Sequence, residues 1–452
     1  MRLRKTITTI VATAILLAGW QLFAVIANQP ELIPSLPRLV RTLCEWLVSG
    51  SFYQSVGATI LRGILGMSIS FVCAIGMAGL FARFEWVYEL FRPLLAIMRS
   101  IPVISFILLA LIFLNPESIP LMIAFLTMFP LLTENLTRGI LDLRPGLSIM
   151  ARQFHIKRSN VLFQIIYPQL KPFLYSGLAS AAGFGWRAII MGEVLSQCAF
   201  GIGSEMKRAQ NFIAVPELLA WTIVAVFISF FFDKGISKVA DITPKISFAN
   251  EDQTIPTPTL SVLDTKDISY QYGIQHFSHS FQKGIIYGIS APSGKGKTTL
   301  LNLIGGILLP TEGEIHPTRH FGIATIFQQP QLLPHLTAEE NIILPLSSFL
   351  TEEKAQRIAQ KHLQEMEMEP FGNRYPKELS YGQQQRIAIA RALAYPSPLL
   401  LMDEPFKGLD EALSHRIIER IREKQMKEER IILFTSHNPD EIRLLADEVI
   451  YL

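Results

Sequence analysis

The feature that most constrains this chain is a series of long segments without charged residues. Thr6 to Pro30 is the first, and crossing the hydrocarbon core of a bilayer takes about 20 apolar residues. Arg2, Arg4 and Lys5 precede it as they would precede a signal peptide, but its length and the further segments favour a membrane helix. Six spans are predicted, at residues 6–30, 63–82, 100–116, 118–133, 172–196 and 218–232.

Charge is divided unevenly between the two halves of the chain. Residues 1–240 hold 20 Lys and Arg against 11 Asp and Glu, whereas residues 241–452 hold 21 against 27. A sparsely charged, basic half followed by a slightly acidic half is typical of a membrane domain joined to a cytosolic one. The net charge of +3 is the difference between two unlike domains and therefore says nothing about nucleic acid. We expect no nucleic-acid partner. Cys44, Cys73 and Cys198 form no close pair, which argues against a disulfide framework or a zinc site.

Basic residues outside the spans predict their orientation. With the N-terminus in the cytoplasm, thirteen Lys and Arg residues lie on the cytoplasmic side and four lie outside. An even number of spans also returns the second half to the cytoplasm. We therefore expect a multi-pass protein of the cytoplasmic (inner) membrane, with both the N-terminus and the second half in the cytoplasm. The four outer residues are Arg38, Arg41, Lys207 and Arg208.

Two ionisable residues interrupt the fifth predicted span. An ionised side chain in the middle of a membrane helix costs about 2.5–3.5 kcal/mol on insertion scales. Arg187 and Glu193 are therefore expected to face the interior of the helix bundle or a seam between subunits. The alternative is that both cap a shorter helix near the membrane surface. Neither is predicted to be a solute ligand.

The second half has the pattern of an α/β domain. Residues 241–258 lose the apolar runs and contain Pro256 and Pro258, which predicts a linker between a membrane domain at 1–240 and a cytosolic domain at 259–452. From residue 260 onward, strand-like and helix-like patterns alternate to the end of the chain.

A phosphate-binding loop is predicted at Ala291-Pro-Ser-Gly-Lys-Gly-Lys-Thr298. It follows an apolar strand and precedes a helix, which is the context such a loop requires. Its backbone N–H groups and the start of the helix bind phosphate oxygens, Lys297 reaches the β- and γ-phosphates, and Thr298 ligates Mg²⁺. Gly normally opens this pattern, and Ala291 would be strained if the backbone there had a positive φ.

Two further motifs follow the loop. Leu399 to Met402 reads as a buried strand that ends in two carboxylates, Asp403 and Glu404. Such a pair can support a metal-bound nucleotide and polarise an attacking water. Residues 379–383, Leu-Ser-Tyr-Gly-Gln, precede a helix, and their Ser and Gly suit phosphate binding, although an ordinary helix cap explains them equally well in isolation.

In order and spacing, these motifs resemble the nucleotide-binding domain of an ABC transporter over about 190 residues. The resemblance implies ATP and Mg²⁺ as ligands, with Glu404, His437 and Gln328 as the catalytic residues and Thr298, Gln328 and Asp403 as metal ligands. Tyr272 matches the aromatic residue that stacks on adenine, with Tyr270 as the alternative, and Tyr381 stands where the family has Gly. The implied nucleotide-binding residues are Tyr272, Ser293, Gly294, Lys295, Gly296, Lys297, Thr298, Thr299, Ser380, Gly382, Gln383 and Asp410.

The membrane half resembles a permease of the binding-protein-dependent importers, especially their nitrate/sulfonate/taurine branch. The resemblance rests on Arg99-Ser-Ile-Pro102, Gly185-Trp-Arg187 and Gly192-Glu-Val-Leu195. Residues 149–155 align with the coupling loop of these permeases, but Ile149, Met150 and His155 replace its Glu, Ala and Gly. Residues 147–158 should form a short amphipathic helix in a groove of the nucleotide domain near Gln328, or else a basic loop attracted to lipid. The apolar face contains Leu147, Met150, Ala151 and Phe154.

The predicted fold is a helical transmembrane bundle fused to an α/β phosphate-loop ATPase. The predicted function is ATP-driven import of a small solute, and the resemblance implies a second copy of the chain, most simply in a homodimer, and a separate extracytoplasmic solute-binding protein. Two alternatives stay open. One is an exporter half-transporter, and the other is a membrane-anchored ATPase that regulates a partner without moving solute.

Overall fold

A computed structural model describes residues 2–240, 244–253, 260–271, 273–292, 294–317 and 322–452. They form two compact units, of which the first comprises residues 1–143 and 169–243 and the second residues 144–168 and 244–452. The segment 144–168, predicted within the membrane domain, folds with the second unit.

The first unit is helical. Its longest helix has 34 residues, and helices of 11 and 10 residues lie between the longer ones. The helices are α1 (Arg2–Ala27), α2 (Leu36–Trp46), α3 (Gly50–Arg83), α4 (Glu85–Ser100), α5 (Val103–Phe113) and α6 (Ile119–Leu141), then, after α7 and α8 of the second unit, α9 (Tyr167–Ser196), α10 (Ile202–Asn211) and α11 (Val215–Ala240).

The predicted count of six straight spans needs correction. Among the described residues, four helices are long and apolar enough to cross a membrane, or five if the bent pair α4–α5 counts as one span. The predicted third span, at residues 100–116, corresponds to the 11-residue helix α5, and the chain bends by 94° between α4 and α5. Pro102 explains the break, since its ring disfavours helical backbone at Ile101, which is extended. The first predicted span lies in α1, whose apolar part Val11–Ala27 is shorter than the other spans.

Small residues let the membrane helices approach closely. A Cβ on Gly66 of α3 would lie 2.6 Å from that of Ala124 in α6, and a Cβ on Gly63 would lie 2.9 Å from the ring of Trp186 in α9. Glycine at helix crossings is typical of membrane bundles, which are held by close packing rather than by the hydrophobic effect. The core of this unit therefore lies between α3, α6 and α9.

The second unit contains two sheets. An antiparallel sheet has the order β2-β1-β4, and a parallel sheet has the order β5-β6-β7-β3-β8. The strands are β1 (Val262–Tyr270), β2 (Ile274–Gln282), β3 (Ile286–Ser290), β4 (Glu312–His316), β5 (Ala324–Ile326), β6 (Leu399–Asp403), β7 (Ile431–Thr435) and β8 (Glu448–Tyr451). The helices are α7 (Pro145–Gln153), α8 (Arg158–Asn160), α12 (Lys297–Ile304), α13 (Ala338–Leu346), α14 (Glu352–Glu365), α15 (Tyr381–Ala394), α16 (Glu411–Glu428) and α17 (Pro439–Leu445).

The parallel sheet determines where functional residues meet. β3, β6 and β7 are adjacent and parallel, and each is completely or almost completely buried, as their apolar sequences predict. Their carboxyl ends lie at one edge, which is where open α/β sheets bind ligands.

The predicted linker is in part bound to the second unit. Ala249 N donates to Ser347 O at 3.0 Å, and Gln253 N donates to Phe349 O at 2.8 Å. Ile246 and Phe248 pack against the core of the unit. Residues 244–253 are therefore an extended part of the second unit rather than a free connection.

Candidate functional site

The phosphate loop connects β3 to α12. Gly294 and Gly296 have φ of +80° and +87°, and a Cβ on Gly296 would lie 2.6 Å from Gly273 O. Glycine is therefore required at Gly296 both by its conformation and by this close approach. Ala291 does not have a left-handed backbone, so its Cβ carries no such strain. Its carbonyl accepts a hydrogen bond from Lys297 Nζ at 2.7 Å.

Asp403, at the carboxyl end of β6, connects this loop to β7. Its Oδ2 accepts from Thr298 Oγ1 at 2.9 Å, and its Oδ1 accepts from Thr435 Oγ1 at 2.7 Å. Burial raises the pKa of Asp403 above its ordinary value, although both hydroxyl groups oppose that shift. A hydroxyl and a carboxylate that converge in this way are hard oxygen ligands of the kind that Mg²⁺ prefers.

Glu404 is the centre of a second cluster. His437 Nε2 lies 3.1 Å from its Oε1, Lys407 Nζ lies 3.1 Å from its Oε2, and Gln328 Nε2 donates to Oε1 at 3.4 Å. Burial acts to raise the pKa of Glu404, but Lys407, Gln328 and His437 together lower it below its ordinary value. The carboxylate is thus ionised at neutral pH, as an acceptor for a proton of water must be.

His437 also extends toward the phosphate loop. Its Nδ1 lies 3.3 Å from Lys297 Nζ, while its Nε2 faces Glu404. The ring is half exposed, at 51% for its side chain. It therefore joins the lysine of the loop to the acid of the second cluster.

Residues 379–383 lie at the start of α15. Ser380 Oγ accepts from Gln383 N at 3.3 Å and Gln383 Oε1 accepts from Ser380 N at 2.9 Å, which is a capping box. A Cβ on Gly382 would lie 2.6 Å from Gly408 O, so this motif packs on residues 408–410. Asp410 caps α16 by accepting from Leu413 N at 2.9 Å.

Tyr381, which replaces a glycine of the resembled family, has a defined contact. Its hydroxyl donates to Gln328 O at 2.8 Å. Its ring covers Gly408, where a Cβ would lie 2.8 Å from Tyr381 Cδ1. The substitution therefore connects residues 379–383 to the backbone at Gln328.

The predicted residues fall into three groups. Lys297, Thr298, Gln328, Asp403, Glu404 and His437 come together at the carboxyl edge of the parallel sheet. Ser380, Gly382, Gln383 and Asp410 form a separate cluster, and no hydrogen bond joins them to residues 291–298 among the described parts of the chain. Gly294, Lys295 and Gly296 lie in the loop and Thr299 lies in α12, whereas Tyr272 and Ser293 are outside the described residues.

Sequence reasoning missed Thr435 and Lys407. Thr435 pairs with Asp403 in the register of β6 and β7 and also accepts from Glu404 N at 3.1 Å. The sequence does show a threonine two positions before His437, which was the available signal. Its contact with Asp403, however, depends on the order of the strands in the sheet. Lys407 lies three residues after Glu404 in a turn, and a surface lysine gives no signal of this kind in a sequence.

The predicted coupling helix borders the site from within the second unit. Leu147, Met150, Ala151 and Phe154 are all buried, as their spacing predicts. A cavity of about 270 Å³ is lined both by Gly146 and Ile149 of α7 and by Thr298, Gln328 and Asp403. The expectation of a groove near Gln328 is confirmed.

Arg391 contacts both the segment after Gln328 and the end of the coupling helix. It is almost completely buried, donates to Gln331 O and Pro330 O at 2.8 Å each, and lies 5.5 Å from the ring centroid of Phe154. Burial lowers its pKa to about 10, so the guanidinium is still charged at neutral pH. Phe154 also makes an edge contact with Tyr395 at 5.2 Å. One cation thus connects the segment after Gln328 to the coupling helix.

His155, which replaces a glycine of the resembled family, lies in the turn after α7. Its φ is +46°, a left-handed conformation that glycine adopts without strain and that a residue with a Cβ adopts only at a cost.

Family models match both halves of the chain. The family model for ABC transporters matches residues 274–407, and the model for the inner membrane component of binding-protein-dependent transport systems matches residues 56–233. The thiamine import ATP-binding protein of Yersinia pseudotuberculosis is 35% identical over 205 residues, which cover 42% of this chain and 86% of that protein. The chain belongs to the ABC transporter family. Its site is therefore that of a transport ATPase, and the predicted fold class is confirmed.

Two other relatives match this chain over only part of their own length. The Fe(3+) ions import ATP-binding protein of Rhizobium etli is 35% identical over 40% of this chain and 54% of its own length. The glucose import ATP-binding protein of Saccharolobus solfataricus is 35% identical over 38% of this chain and 52% of its own length. The chain thus spans about half the length of these two relatives. With its apolar helices and the membrane-component match, this ABC transporter is a multi-pass inner-membrane protein that joins permease and ATPase in one polypeptide.

Proposed function

We propose that this ABC transporter imports a small solute as a homodimer that works with a separate extracytoplasmic solute-binding protein. The membrane-component match belongs to binding-protein-dependent systems, and the matched relatives are import ATP-binding proteins. The N-terminus and the nucleotide unit would lie in the cytoplasm, in keeping with the distribution of basic residues.

The proposed ATP chemistry follows from the groups of residues around Asp403 and around Glu404. N–H groups of the phosphate loop and Lys297 would bind the phosphates, and Glu404 would take a proton from the attacking water. His437, next to both Lys297 and Glu404, would hold the γ-phosphate. Thr298, Asp403 and Gln328 would hold Mg²⁺, which when bound neutralises charge on the β- and γ-phosphates.

One chain would supply only half of the residues of each complete ATP site. Ser380, Gly382 and Gln383 belong to a cluster separate from residues 291–298, and their capping box leaves α15 with an N-terminus able to meet an anion. We propose that the second copy of the chain supplies this cluster to the phosphates, with Asp410 at the seam. Two-fold symmetry then gives two equivalent ATP sites.

The observation that carries the proposal is the position of the coupling helix. α7, a segment from within the permease sequence, is part of the nucleotide unit and borders the cavity at Gln328 and Asp403. Arg391 bridges it to Pro330 and Gln331. Any shift of Gln328 on hydrolysis would therefore reach the membrane half through α7 and the turn at His155.

The proposed substrate subtype rests on the membrane half rather than on the matched relatives. The matched relatives name thiamine, ferric ion and glucose, which have no chemistry in common. The resemblance of residues 99–102 and 185–195 to nitrate, sulfonate and taurine permeases supports that branch as the proposed subtype.

Mild crosslinking of the chain in its native envelope, followed by affinity capture and mass spectrometry, tests the proposal. We expect self-crosslinks together with an extracytoplasmic solute-binding protein. Glu404→Gln should slow hydrolysis and so prolong the ATP-bound state, and we therefore expect it to increase the self-crosslinks relative to wild type. Self-crosslinks without a binding protein would favour the exporter, and an envelope enzyme in place of a binding protein would favour the regulatory ATPase.

A further inference from the structure

A second cavity adjoins the carboxyl end of the coupling helix α7. Its volume is about 380 Å³, within the range of about 300–1,000 Å³ that is typical of small-molecule pockets. It shares no lining residue with the cavity at Gln328 and Asp403, which is reached from Gly146 and Ile149 at the other end of the helix. All of its lining residues belong to the second unit, and none is among the predicted ATP-site residues.

Part of the lining of this cavity is apolar. It combines the end of α12 and the segment that follows it with β4 and the residue before β5. Leu309 is 80% exposed there, so its side chain is available to cover an apolar group of a ligand. The apolar lining residues are Leu303, Leu308, Leu309, Pro310, Ile315 and Ile323.

The polar part of the lining contains a cation without a counterion. Arg152 is exposed, and among the described residues its guanidinium has no hydrogen bond or ion pair. No Asp or Glu is found among the described residues that line the cavity. Partial burial lowers the pKa of His155 below its ordinary value, so its ring is neutral at neutral pH and has one N–H donor. A guanidinium and a neutral donor, with no carboxylate between them, favour an anion.

Gln153 adds a buried acceptor without a partner. The residue lines the cavity and is 4% exposed, and Ile323 N donates to its backbone oxygen at 2.8 Å. Its Nε2 donates to Gly305 O at 2.7 Å, whereas its Oε1 has no hydrogen bond among the described residues. Exchanging the two amide atoms would place Oε1 against the oxygen of Gly305, so the orientation of the amide is fixed. Because a buried acceptor is costly to leave unpaired, this wall favours a ligand with an N–H or O–H group.

We propose that this cavity binds a small organic anion that has an aliphatic body and an N–H or O–H group. Arg152 would pair with the anionic group, the apolar lining would cover the aliphatic body, and Gln153 Oε1 would accept the hydrogen of the ligand. The occupant would connect the end of α7 to the end of α12, the helix that begins with Lys297 and Thr298. It would therefore restrain α12 and slow ATP turnover. This inference goes beyond the proposed function, because binding here needs neither a transported solute nor a solute-binding protein.

Saturation-transfer NMR on the full chain in nanodiscs of zwitterionic lipid tests the inference. The probe is N-acetylleucine, which combines a carboxylate, an isobutyl group and an amide N–H, and its neutral isostere is N-acetylleucinamide. We expect a saturable signal for N-acetylleucine and an affinity about 10- to 100-fold lower for the amide, as for the loss of a charge-assisted hydrogen bond. Empty nanodiscs should give no signal.

Three variants locate the site. Arg152→Gln should weaken the binding of N-acetylleucine by about 10- to 100-fold, as the neutral probe does for the wild type. Leu309→Ala removes an exposed apolar side chain without opening the core, and it should weaken binding by about five-fold. Lys157→Gln is the matched control, because it removes an exposed cation two residues after His155 that does not line the cavity. Its affinity for the probe should equal that of the wild type.

Several results would overturn the inference. These are no signal for N-acetylleucine with the wild type, an equal signal from empty nanodiscs, equal affinity for the amide, or unchanged affinity in Arg152→Gln. ATP binding shows that each variant is folded. ATP turnover of the wild type should fall as N-acetylleucine saturates the NMR signal, and Arg152→Gln should need a higher concentration for the same fall. Turnover that does not change at saturation would overturn the effect on α12. Neither measurement requires transport, so failed uptake would count against import alone.

Discussion

The nucleotide unit and the membrane unit place their charges according to different rules. In the nucleotide unit, adjacent parallel strands end at one edge, so Asp403, Glu404 and His437 from distant parts of the sequence meet there. The described part of the membrane unit is helical and has no such edge, and its charged residues include a buried carboxylate paired with a cation, Glu193 with Arg62, and an outward-facing cation, Arg187. The difference teaches that motif order reveals function in the nucleotide unit, whereas burial and pairing of charges reveal it in the membrane unit.

The largest expected effect separates chemistry from binding in the nucleotide unit. Glu404→Gln removes the proton acceptor while preserving the size of the side chain and the contact with Gln328. Turnover should fall by about 10²–10⁴-fold, the usual contribution of a general base, while ATP is still bound. Steady-state hydrolysis and nucleotide binding on purified chain measure the two quantities. Full turnover in this variant would remove Glu404 from its catalytic role.

Thermal unfolding of two arginine variants contrasts paired and unpaired charges in the membrane unit. Arg62→Gln leaves the carboxylate of Glu193 buried without its cation, and breaking a buried ion pair costs about 3–5 kcal/mol. Arg187→Gln breaks no contact within the chain and should change stability by less than about 0.5 kcal/mol. Equal losses in the two variants would show that Arg187 has a partner.

The stability of the nucleotide unit should depend on pH through His362. The ring is buried in α14, and burial together with Lys424, Lys361 and Arg430 lowers its pKa from 6.5 to about 3. Between these values the unfolded ring binds a proton and the folded ring does not. Stability therefore falls as pH drops below about 6.5, by up to about 1.4 kcal/mol per pH unit.

Melting temperatures of the full chain from pH 7 to 5 measure this dependence. His362→Gln should reduce the slope, because glutamine does not titrate. A slope that is the same in wild type and in His362→Gln would assign the acid sensitivity to other groups.

The smallest effect concerns Tyr381. Tyr381→Phe removes the hydrogen bond to Gln328 O and keeps the ring on Gly408. A single hydrogen bond contributes about 1 kcal/mol, so we expect a change of about five-fold in ATP turnover and little change in nucleotide affinity. If the ATP turnover and the nucleotide affinity of Tyr381→Phe both match those of wild type, the hydrogen bond to Gln328 does not affect the ATPase. Tyr381 then only occupies the position where the family has glycine.

Local patterns predicted much of this molecule, and tertiary contacts explain the rest. The phosphate loop, the strand before Asp403 and the apolar face of α7 each follow from residues close in sequence, and the structure places them as predicted. The partner of Asp403 at Thr435 depends on strand order, and the bend before Pro102 follows from the proline itself, which a hydropathy pattern does not record. The bound state of residues 244–253 likewise depends on contacts with Ser347 and Phe349, about a hundred residues away.

Arg187 and Glu193 show the limit most clearly. Both are ionisable residues within one predicted span, and only the positions of Thr59, Arg62 and Gly203 distinguish them. These groups come from two other helices. A pairing between helices leaves no periodic signal in a sequence.

ATP-dependent uptake tests the central claim most directly. The chain is reconstituted in proteoliposomes with the binding protein recovered by capture, and movement of its labelled ligand is followed with ATP on the side of the nucleotide units. We predict movement toward the ATP side that requires both ATP and the binding protein and that disappears in Glu404→Gln. Hydrolysis without movement, or movement away from the ATP side, would contradict the proposal that this ABC transporter is an importer.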